Sequence, residues 1–189
     1  MGDTILGATI AKALAIGWLA AGGGLYAASQ QENPGAAPTP CAGNAHRAFD
    51  FWLGEWNVTA SGASQFTATS RIGSRHGGCV ILEQYDAGAY AGMSLSFYDR
   101  VSGRWHQTWM ANDGAPVYLE GNLDGEGAMI LSDAELPISR ATGTINRVTW
   151  TPEDGGAVRQ FWEISTDSGE NWSVAFDGLY TPRENVGAE

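Results

Sequence analysis

Basic residues are scarce in this chain of 189 residues. It has 10 lysines and arginines against 21 aspartates and glutamates, Lys12 is the only lysine, and the formal net charge is −11. Proteins that bind nucleic acids or anionic lipid head groups neutralise phosphates with basic side chains. The shortage of such side chains argues against DNA, RNA and anionic membrane surfaces as partners, and the acidic surface mainly favours solubility.

The motifs of common catalytic sites are also missing. The sequence contains no G-x-S-x-G, no H-E-x-x-H, no phosphate-binding glycine loop and no EF-hand spacing. Catalysis would have to rely on carboxylates in apolar strands, for which Glu83, Glu163 and Asp177 are the candidates. A hydrolase or isomerase that uses Glu83 or Glu163 is therefore one hypothesis.

Cysteine is almost absent, since the chain contains only Cys41 and Cys79. A small even number of cysteines in an exported protein indicates a disulfide. Such a bond would attach the start of the domain to its sheet. Two free thiols or a metal pair are the alternatives, although the spacing resembles no metal motif.

The first 28 residues have the composition of an export segment. Lys12 ends a short n-region, residues 13–21 are apolar, and Tyr26-Ala27-Ala28 includes small side chains for cleavage. Residues 5–28 are also almost long enough to span a bilayer, so an uncleaved membrane anchor is the alternative. We expect a periplasmic or secreted protein, or one anchored to the inner membrane.

Domain boundaries follow from composition. Residues 29–40 combine three prolines with small and polar residues, which is typical of a linker. A single folded domain is predicted over residues 41–183, followed by a tail at 184–189. Residues 49–58 contain four aromatic residues and are expected to plug one end of the core.

Short alternating runs recur at intervals of about ten residues, which is typical of all-β proteins. Glycine, asparagine and aspartate turns separate them, and one short helical turn is predicted at residues 46–52. Hairpin-length connections throughout favour an antiparallel up-and-down β-barrel of about ten strands, wide enough inside for a small ligand. The strands are predicted at residues 55–61, 66–73, 79–85, 93–99, 104–111, 117–122, 128–132, 146–151, 158–165 and 172–181.

Strand alternation groups side chains on common faces. One strand carries a Trp-Gln-Trp stripe, another a Gln-Trp stripe, and a third places a glutamate between apolar residues. A barrel interior with these stripes would be a mixed aromatic and polar cavity, in which the tryptophans form the wall and the polar groups orient a ligand. The alternative is an ordinary packed core. The predicted site comprises Glu83, Trp105, Gln107, Trp109, Gln160 and Trp162.

Several segments carry a family resemblance. Residues 49–56 read F-D-F-W-L-G-E-W, and GCVILE at 78–83, GRWHQTW at 103–109, RVTWTP at 147–152, VRQFWE at 158–163 and FDGLY at 176–180 follow in order. The chain resembles exported bacterial proteins of unknown function with an F-D-F-W-x-G-E-W signature, related to lipocalin-like and nitrobindin-like barrels (calycins). The resemblance covers about residues 41–183 and implies a lipocalin-like barrel without implying an activity.

Two details follow from this resemblance. Gly54, with Trp56, matches the G-x-W that opens lipocalin barrels, which implies that Trp56 closes the barrel base and stacks on an arginine. Arg183 is the first candidate for that arginine and Arg159 the second.

The resemblance implies no cofactor. Nitrobindin-like barrels bind haem through a histidine near the C-terminal end, whereas this chain has only His46, His76 and His106. No position matches the haem ligand, so haem binding is not expected.

Residues 165–172 (STDSGENW) resemble the Asp-box S-x-D-x-G-x-T-W, which shapes hairpin turns and is not catalytic. The resemblance implies that Asp167 binds turn amides, that Gly169 adopts a positive φ, and that Trp172 packs beneath the turn.

Together these patterns predict an exported barrel that binds a small apolar or amphipathic molecule. A second hypothesis is an accessory or scaffold subunit of a periplasmic or membrane-bound assembly, with protein partners, a filled barrel and an uncleaved N-terminal helix. The predicted cavity depends on strand register, because a slip of one residue would turn every one of its side chains outward.

Overall fold

The computed structural model describes residues 40–61 and 66–183, which form ten β-strands, two short α-helices and three 3-10 turns. The helices are α1 (Asn44–Arg47) and α2 (Pro137–Thr142). The strands are β1 (Gly54–Ala60), β2 (Phe66–Arg75), β3 (Val80–Asp86), β4 (Ala91–Asp99), β5 (Arg104–Ala111), β6 (Val117–Leu123), β7 (Met129–Ser132), β8 (Ile145–Pro152), β9 (Val158–Ser165) and β10 (Ser173–Pro182).

The ten strands form one closed antiparallel barrel. Each strand pairs with the next in sequence, and β1 pairs with β10 to close the sheet, with Val58 opposite Tyr180. The all-β, up-and-down barrel predicted from the sequence is confirmed, and no predicted strand end differs from the observed one by more than two residues. Closure gives every one of these strands two neighbours, so none of them presents an unpaired edge.

The segment ahead of β1 closes one end of the barrel, which we call the base; the opposite end is the mouth. α1 and a 3-10 turn at Asp50–Trp52 occupy the region where one helical turn was expected. Phe49 and Trp52 are fully buried and stack with ring centroids 5.1 Å apart. Phe49 also packs edge to face on Trp105 and Trp150 of the barrel wall. The aromatic segment therefore plugs the core as predicted.

The connection between β7 and β8 is not the hairpin that the sequence predicts, because it contains α2. Pro137 lies in the first turn of this helix, where a backbone N–H has no helical partner. Gly143 ends the helix with a φ of 69° and donates its N–H to the carbonyl of Ser139 at 2.8 Å. Six residues are too few to show the periodicity from which helices are predicted.

Strand β4 presents polar side chains to the barrel interior and apolar ones to the outside. Ser94 and Ser96 are buried, whereas Met93, Leu95 and Phe97 are exposed on the outer surface. This reverses the usual pattern of an antiparallel sheet that covers a core. The reversal creates a polar strip inside the barrel.

Cys41 and Cys79 form a disulfide, which rules out two free thiols and a metal pair. The bond joins the chain just ahead of α1 to the turn that leads into β3, so it attaches the entry segment to the sheet as predicted. Disulfides persist in oxidising compartments. The bond therefore indicates an extracytoplasmic domain.

Within residues 40–61 and 66–183, no helix has the length and hydrophobicity that a membrane crossing requires. The predicted signal peptide or anchor at residues 1–28, the linker at 29–40 except its last residue, and the tail at 184–189 lie outside the described residues. These domain boundaries stay predictions.

Candidate functional site

The barrel contains a cavity of about 500 Å³ on the mouth side of the plug. This volume lies within the roughly 300–1,000 Å³ range of small-molecule sites. Most of its wall is aromatic or aliphatic, with a small group of polar side chains. The lining residues are Glu83, Tyr85, Ala87, Ala89, Tyr90, Gln107, Trp109, Val117, Leu119, Val148, Gln160, Trp162, Ala175, Phe176 and Tyr180.

A buried carboxylate lies in this wall. Glu83, in the middle of β3, is only 3% exposed. Its Oε1 accepts a hydrogen bond from Ser70 Oγ of β2 at 3.0 Å, and its Oε2 accepts one from Ser94 Oγ of β4 at 2.9 Å. β2 and β4 are the two neighbours of β3, so inward-facing serines on both strands come within reach of the carboxylate.

The polar cluster extends to strands β5, β9 and β10. The hydroxyl of Tyr180 lies 2.7 Å from Gln160 Oε1 and 3.4 Å from Glu83 Oε1. Gln107 Nε2 donates a hydrogen bond to Ser96 Oγ at 3.1 Å. The three polar residues predicted for the site therefore line one cavity, and Tyr180 connects two of them.

Burial controls the protonation of Glu83. Removal of the carboxyl from water raises its pKa from 4.5 to about 7, and hydrogen bonds from Ser94, Ser70 and Tyr180 lower it in part. Burial, followed by the nearby charge of Glu83, raises the pKa of Tyr85 and of Tyr180, so both phenols stay neutral. Glu83 is thus the cavity group that changes charge near neutral pH.

This raised pKa predicts a pH-dependent stability. Between about pH 4.5 and 7 the folded protein holds a proton on Glu83 that the unfolded chain has released, so the free energy of unfolding falls as pH rises. In the wild type this decrease in the free energy of unfolding should be on the order of 3 kcal/mol, and Glu83→Gln should abolish it. Urea unfolding of the wild type and of the variant at several pH values gives the difference between their free energies of unfolding. The other carboxylates are common to both proteins, so their contributions to this difference cancel. Parallel pH profiles would contradict the prediction.

Two indole rings form much of the apolar wall. Trp109 of β5 packs edge to face on Tyr85, with ring centroids 5.9 Å apart, and its Nε1 donates a hydrogen bond to the Tyr90 hydroxyl at 3.3 Å. Trp162 of β9 donates its Nε1 to Asn146 Oδ1 at 3.0 Å. Because both N–H groups have partners, the rings can present apolar surface to the cavity without an unsatisfied donor.

Five of the six predicted site residues line the cavity, and Trp105 does not. Trp105 is buried at the base, where it donates its Nε1 to the carbonyl of Ala45 at 3.1 Å and packs on Phe49. Trp105 and Trp109 share the inner face of β5, but four residues of strand separate them by about 13 Å. Alternation identifies the face of a side chain and not its depth in the barrel.

The sequence prediction omits four residues of the polar cluster: Ser70, Ser94, Ser96 and Tyr180. The apolar neighbours of Ser94 hide it, because they would ordinarily be assigned to the interior. Tyr180 lies two residues after Gly178, on the same face of β10, and Gly178 lies opposite Gln160 in the barrel. Strand alternation along β10 is the sequence feature that could have identified Tyr180.

Trp56 has different partners from those that the lipocalin resemblance implies. Its ring packs edge to face with Tyr180, with centroids 6.3 Å apart, and its Nε1 donates to the carbonyl of Trp52 at 3.1 Å. Arg183 is exposed, and the guanidinium of Arg159 lies over another ring on the outer surface. A tyrosine and a backbone carbonyl therefore take the place of the expected arginine.

The turn between β9 and β10 has the geometry that the Asp-box resemblance implies. Asp167 accepts hydrogen bonds from the backbone N–H of Asn171 at 2.9 Å and from Ser165 Oγ at 2.7 Å, and such bonds lower its pKa to about 2. Gly169 has a φ of 90° and accepts a hydrogen bond from Trp172 Nε1 at 3.1 Å. These contacts make the turn a structural element.

The other carboxylates considered for catalysis lie outside the cavity. Glu163 forms an ion pair with Arg147 at 3.0 Å, and Asp177 forms one with Arg159 at 2.8 Å. Neither carboxylate lines the cavity. Catalysis by converging carboxylates therefore has no support in this arrangement. Of the three candidate carboxylates, Glu83 alone lines the cavity.

Among the described residues, no group of three or more His, Cys, Asp or Glu side chains could hold a metal ion. His106 stacks on Phe97 on the outer surface, with ring centroids 5.3 Å apart. His46 lies in α1, and His76 lies in the turn before β3.

No family model matches this chain, and no curated protein matches it either. The geometry of the cavity is therefore the basis on which a function can be proposed.

Proposed function

We propose that this protein is an exported binding protein that holds a small apolar or amphipathic molecule in the barrel cavity. The observation that carries the proposal is a cavity of about 500 Å³ whose wall combines Trp109 and Trp162 with the buried Glu83. A largely apolar pocket with a few convergent polar groups is the usual form of a small-molecule site. Burial of a ligand's apolar surface against the rings would contribute about 25 cal/mol per Å².

The polar cluster would give such a ligand one orientation. Glu83, Gln107 and Gln160 all border the cavity, and their hydrogen bonds to Ser70, Ser94, Ser96 and Tyr180 fix their positions before a ligand arrives. Side chains that are already ordered lose little conformational freedom on binding. The cluster is therefore suited to recognise the polar end of an amphipathic molecule.

We infer further that the chain is related to the lipocalin-like calycin barrels with the F-D-F-W-x-G-E-W signature. Closure of the base by Phe49 and Trp52 supports this relation, as does the closed ten-stranded topology. Residues 1–28 would deliver the domain to the periplasm or the exterior, or would anchor it to the inner membrane if they are not cleaved. The disulfide supports an oxidising destination.

Native mass spectrometry tests the binding function. Protein purified from an oxidising compartment is expected to carry extra mass that disappears on denaturation. Trp109→Ala and Trp162→Ala should lose this mass and should bind the neutral dye Nile red about 10-fold more weakly or worse, because each removes a large part of the apolar wall.

Trp172→Ala is the matched control, because it removes an indole from the β9–β10 turn, outside the cavity. It should keep both the extra mass and the affinity for the dye. Bare wild-type protein that also fails to bind Nile red would overturn the binding function. Such a result would favour the accessory or scaffold subunit with a filled barrel.

A further inference from the structure

The cavity contains a carboxylate and no fixed cation to balance it. Among the described residues that line the cavity, Glu83 is the only acidic one, and no lysine, arginine or histidine is present. The ion pairs of the described residues all involve other carboxylates. A buried carboxylate without a cation bears the cost of desolvation and receives no ionic compensation.

The hydrogen bonds to Glu83 leave it able to accept another donor. Among the described residues, Oε1 receives Ser70 and faces the Tyr180 hydroxyl, whereas Oε2 receives only Ser94. An ionised carboxylate offers about four acceptor positions on its two oxygens. At least one position on Oε2 therefore remains for a donor on a ligand.

Aromatic rings line the same cavity as this carboxylate. Tyr85, Trp109 and Trp162 line the same cavity, and Tyr90 borders it at the mouth with 38% of its surface exposed. The negative faces of such rings attract cations, and the attraction grows when the cation is shielded from water. Rings and carboxylate together thus favour positive charge in the cavity.

The charge of the whole chain acts in the same direction. A net charge of −11 attracts cations and repels anions over distances comparable with the Debye length. An anionic ligand would also meet the Glu83 carboxylate with no basic side chain in the described wall to offset it. A neutral ligand would leave the buried charge uncompensated.

We propose that the cavity binds an organic cation, an amphipathic amine whose ammonium group contacts Glu83 Oε2 and whose apolar body lies against Trp109 and Trp162. This inference rests on the proposed binding function and specifies its ligand class. The amine enters as a cation and donates an N–H to the ionised carboxylate of Glu83. Its positive charge compensates the buried carboxylate, which would otherwise be neutralised by a proton.

Binding is then coupled to pH. Glu83 is packed against uncharged Ser70 of β2 and Ser94 of β4, and the titratable groups that face it are Tyr85 of β3 and Tyr180 of β10. Both tyrosines stay protonated across the neutral range, so Glu83 alone changes charge. Protonation of a carboxyl with a pKa of about 7 removes the partner of the ammonium, so affinity for an amine falls as pH falls.

Three probes with the same phenylbutyl body test the inference: 4-phenylbutylamine, 4-phenylbutanol and 5-phenylpentanoate. Calorimetric titration at about pH 8 is expected to show the amine binding at least about 10-fold more tightly than the alcohol, with the carboxylate weakest. At about pH 5.5 the preference for the amine should shrink by up to about 30-fold, following the ionised fraction of Glu83.

Glu83→Gln keeps the shape of the side chain and removes its charge, so the ratio of amine to alcohol affinity should fall to about one. Glu163→Gln makes the same chemical change on the outer surface and should leave that ratio at its wild-type value. Circular dichroism in the near ultraviolet checks that both variants are folded.

Equal binding of amine and alcohol by the wild type, or a preference that survives Glu83→Gln, would overturn the cation inference. Binding of the alcohol in that case would leave the proposed binding function standing. If none of the three probes binds and the native mass spectrum shows bare protein, both proposals fail together.

Discussion

Replacement of Trp52 by alanine is expected to lower the free energy of unfolding by about 3–5 kcal/mol. Trp52 is fully buried in the base plug, stacked on Phe49 at 5.1 Å and packed on Trp150 at 5.5 Å and Tyr180 at 6.1 Å between ring centroids. Truncation would leave a cavity that Trp150 and Tyr180 cannot fill without leaving the barrel wall. Urea unfolding followed by tryptophan fluorescence or circular dichroism measures the loss.

Two further variants make this result specific to the plug. Trp52→Phe should lose only about 1–2 kcal/mol, because the indole Nε1 has no hydrogen-bond partner within the described residues and the change costs volume alone. Trp172→Ala removes an indole from the surface turn and should cost on the order of 1 kcal/mol. Equal losses for Trp52→Ala and Trp172→Ala would show that the plug contributes no more than a surface ring.

Removal of the disulfide, by Cys41→Ser together with Cys79→Ser, is expected to lower the free energy of unfolding by roughly 4 kcal/mol. The two cysteines are 38 residues apart, and the bond restricts the unfolded chain over that whole loop. The loop contains the plug, β1 and β2, so loss of the disulfide should also loosen the base. Thermal and urea unfolding of the double variant beside the oxidised wild type give the difference.

Reductant supplies the control for this experiment. Dithiothreitol should lower the stability of the wild type to that of the double variant, because both then lack the same covalent bond. The double variant should show no response to the reductant. A wild type that unfolds identically with and without the bond would contradict the prediction.

The barrel could be predicted from the sequence because its determinants are local. Turn residues mark the strand ends, alternation marks the strands, and short connections leave few topologies for ten antiparallel strands. The sequence does not predict the α2 helix, because Pro137 and Gly143 mark its ends but six residues are too few to show a helical period. In β4 the apolar stripe of Met93, Leu95 and Phe97 lies outside, so hydrophobicity would assign its faces incorrectly.

The candidate site could be predicted only in part, for a geometric reason. Alternation places Trp105 and Trp109 on one face, and the sequence does not state which end of β5 the plug occupies. Ser70 and Tyr180 reach Glu83 from strands that are distant in sequence from one another. Such convergence depends on the register and closure of the whole barrel, which no single segment encodes.

The disulfide also determines which part of the domain bears mechanical tension. If the chain is pulled at Pro40 and Arg183, the covalent path runs from Cys41 through the sulfur atoms to Cys79, and then from β3 to β10. The plug, β1 and β2 lie between the two cysteines and carry no load along their backbone. β10 ends at the base, where Pro182 lies opposite Trp56, so a pull on Arg183 would peel β10 away one hydrogen bond at a time. The barrel would open at this seam while the plug stayed tied to the start of β3.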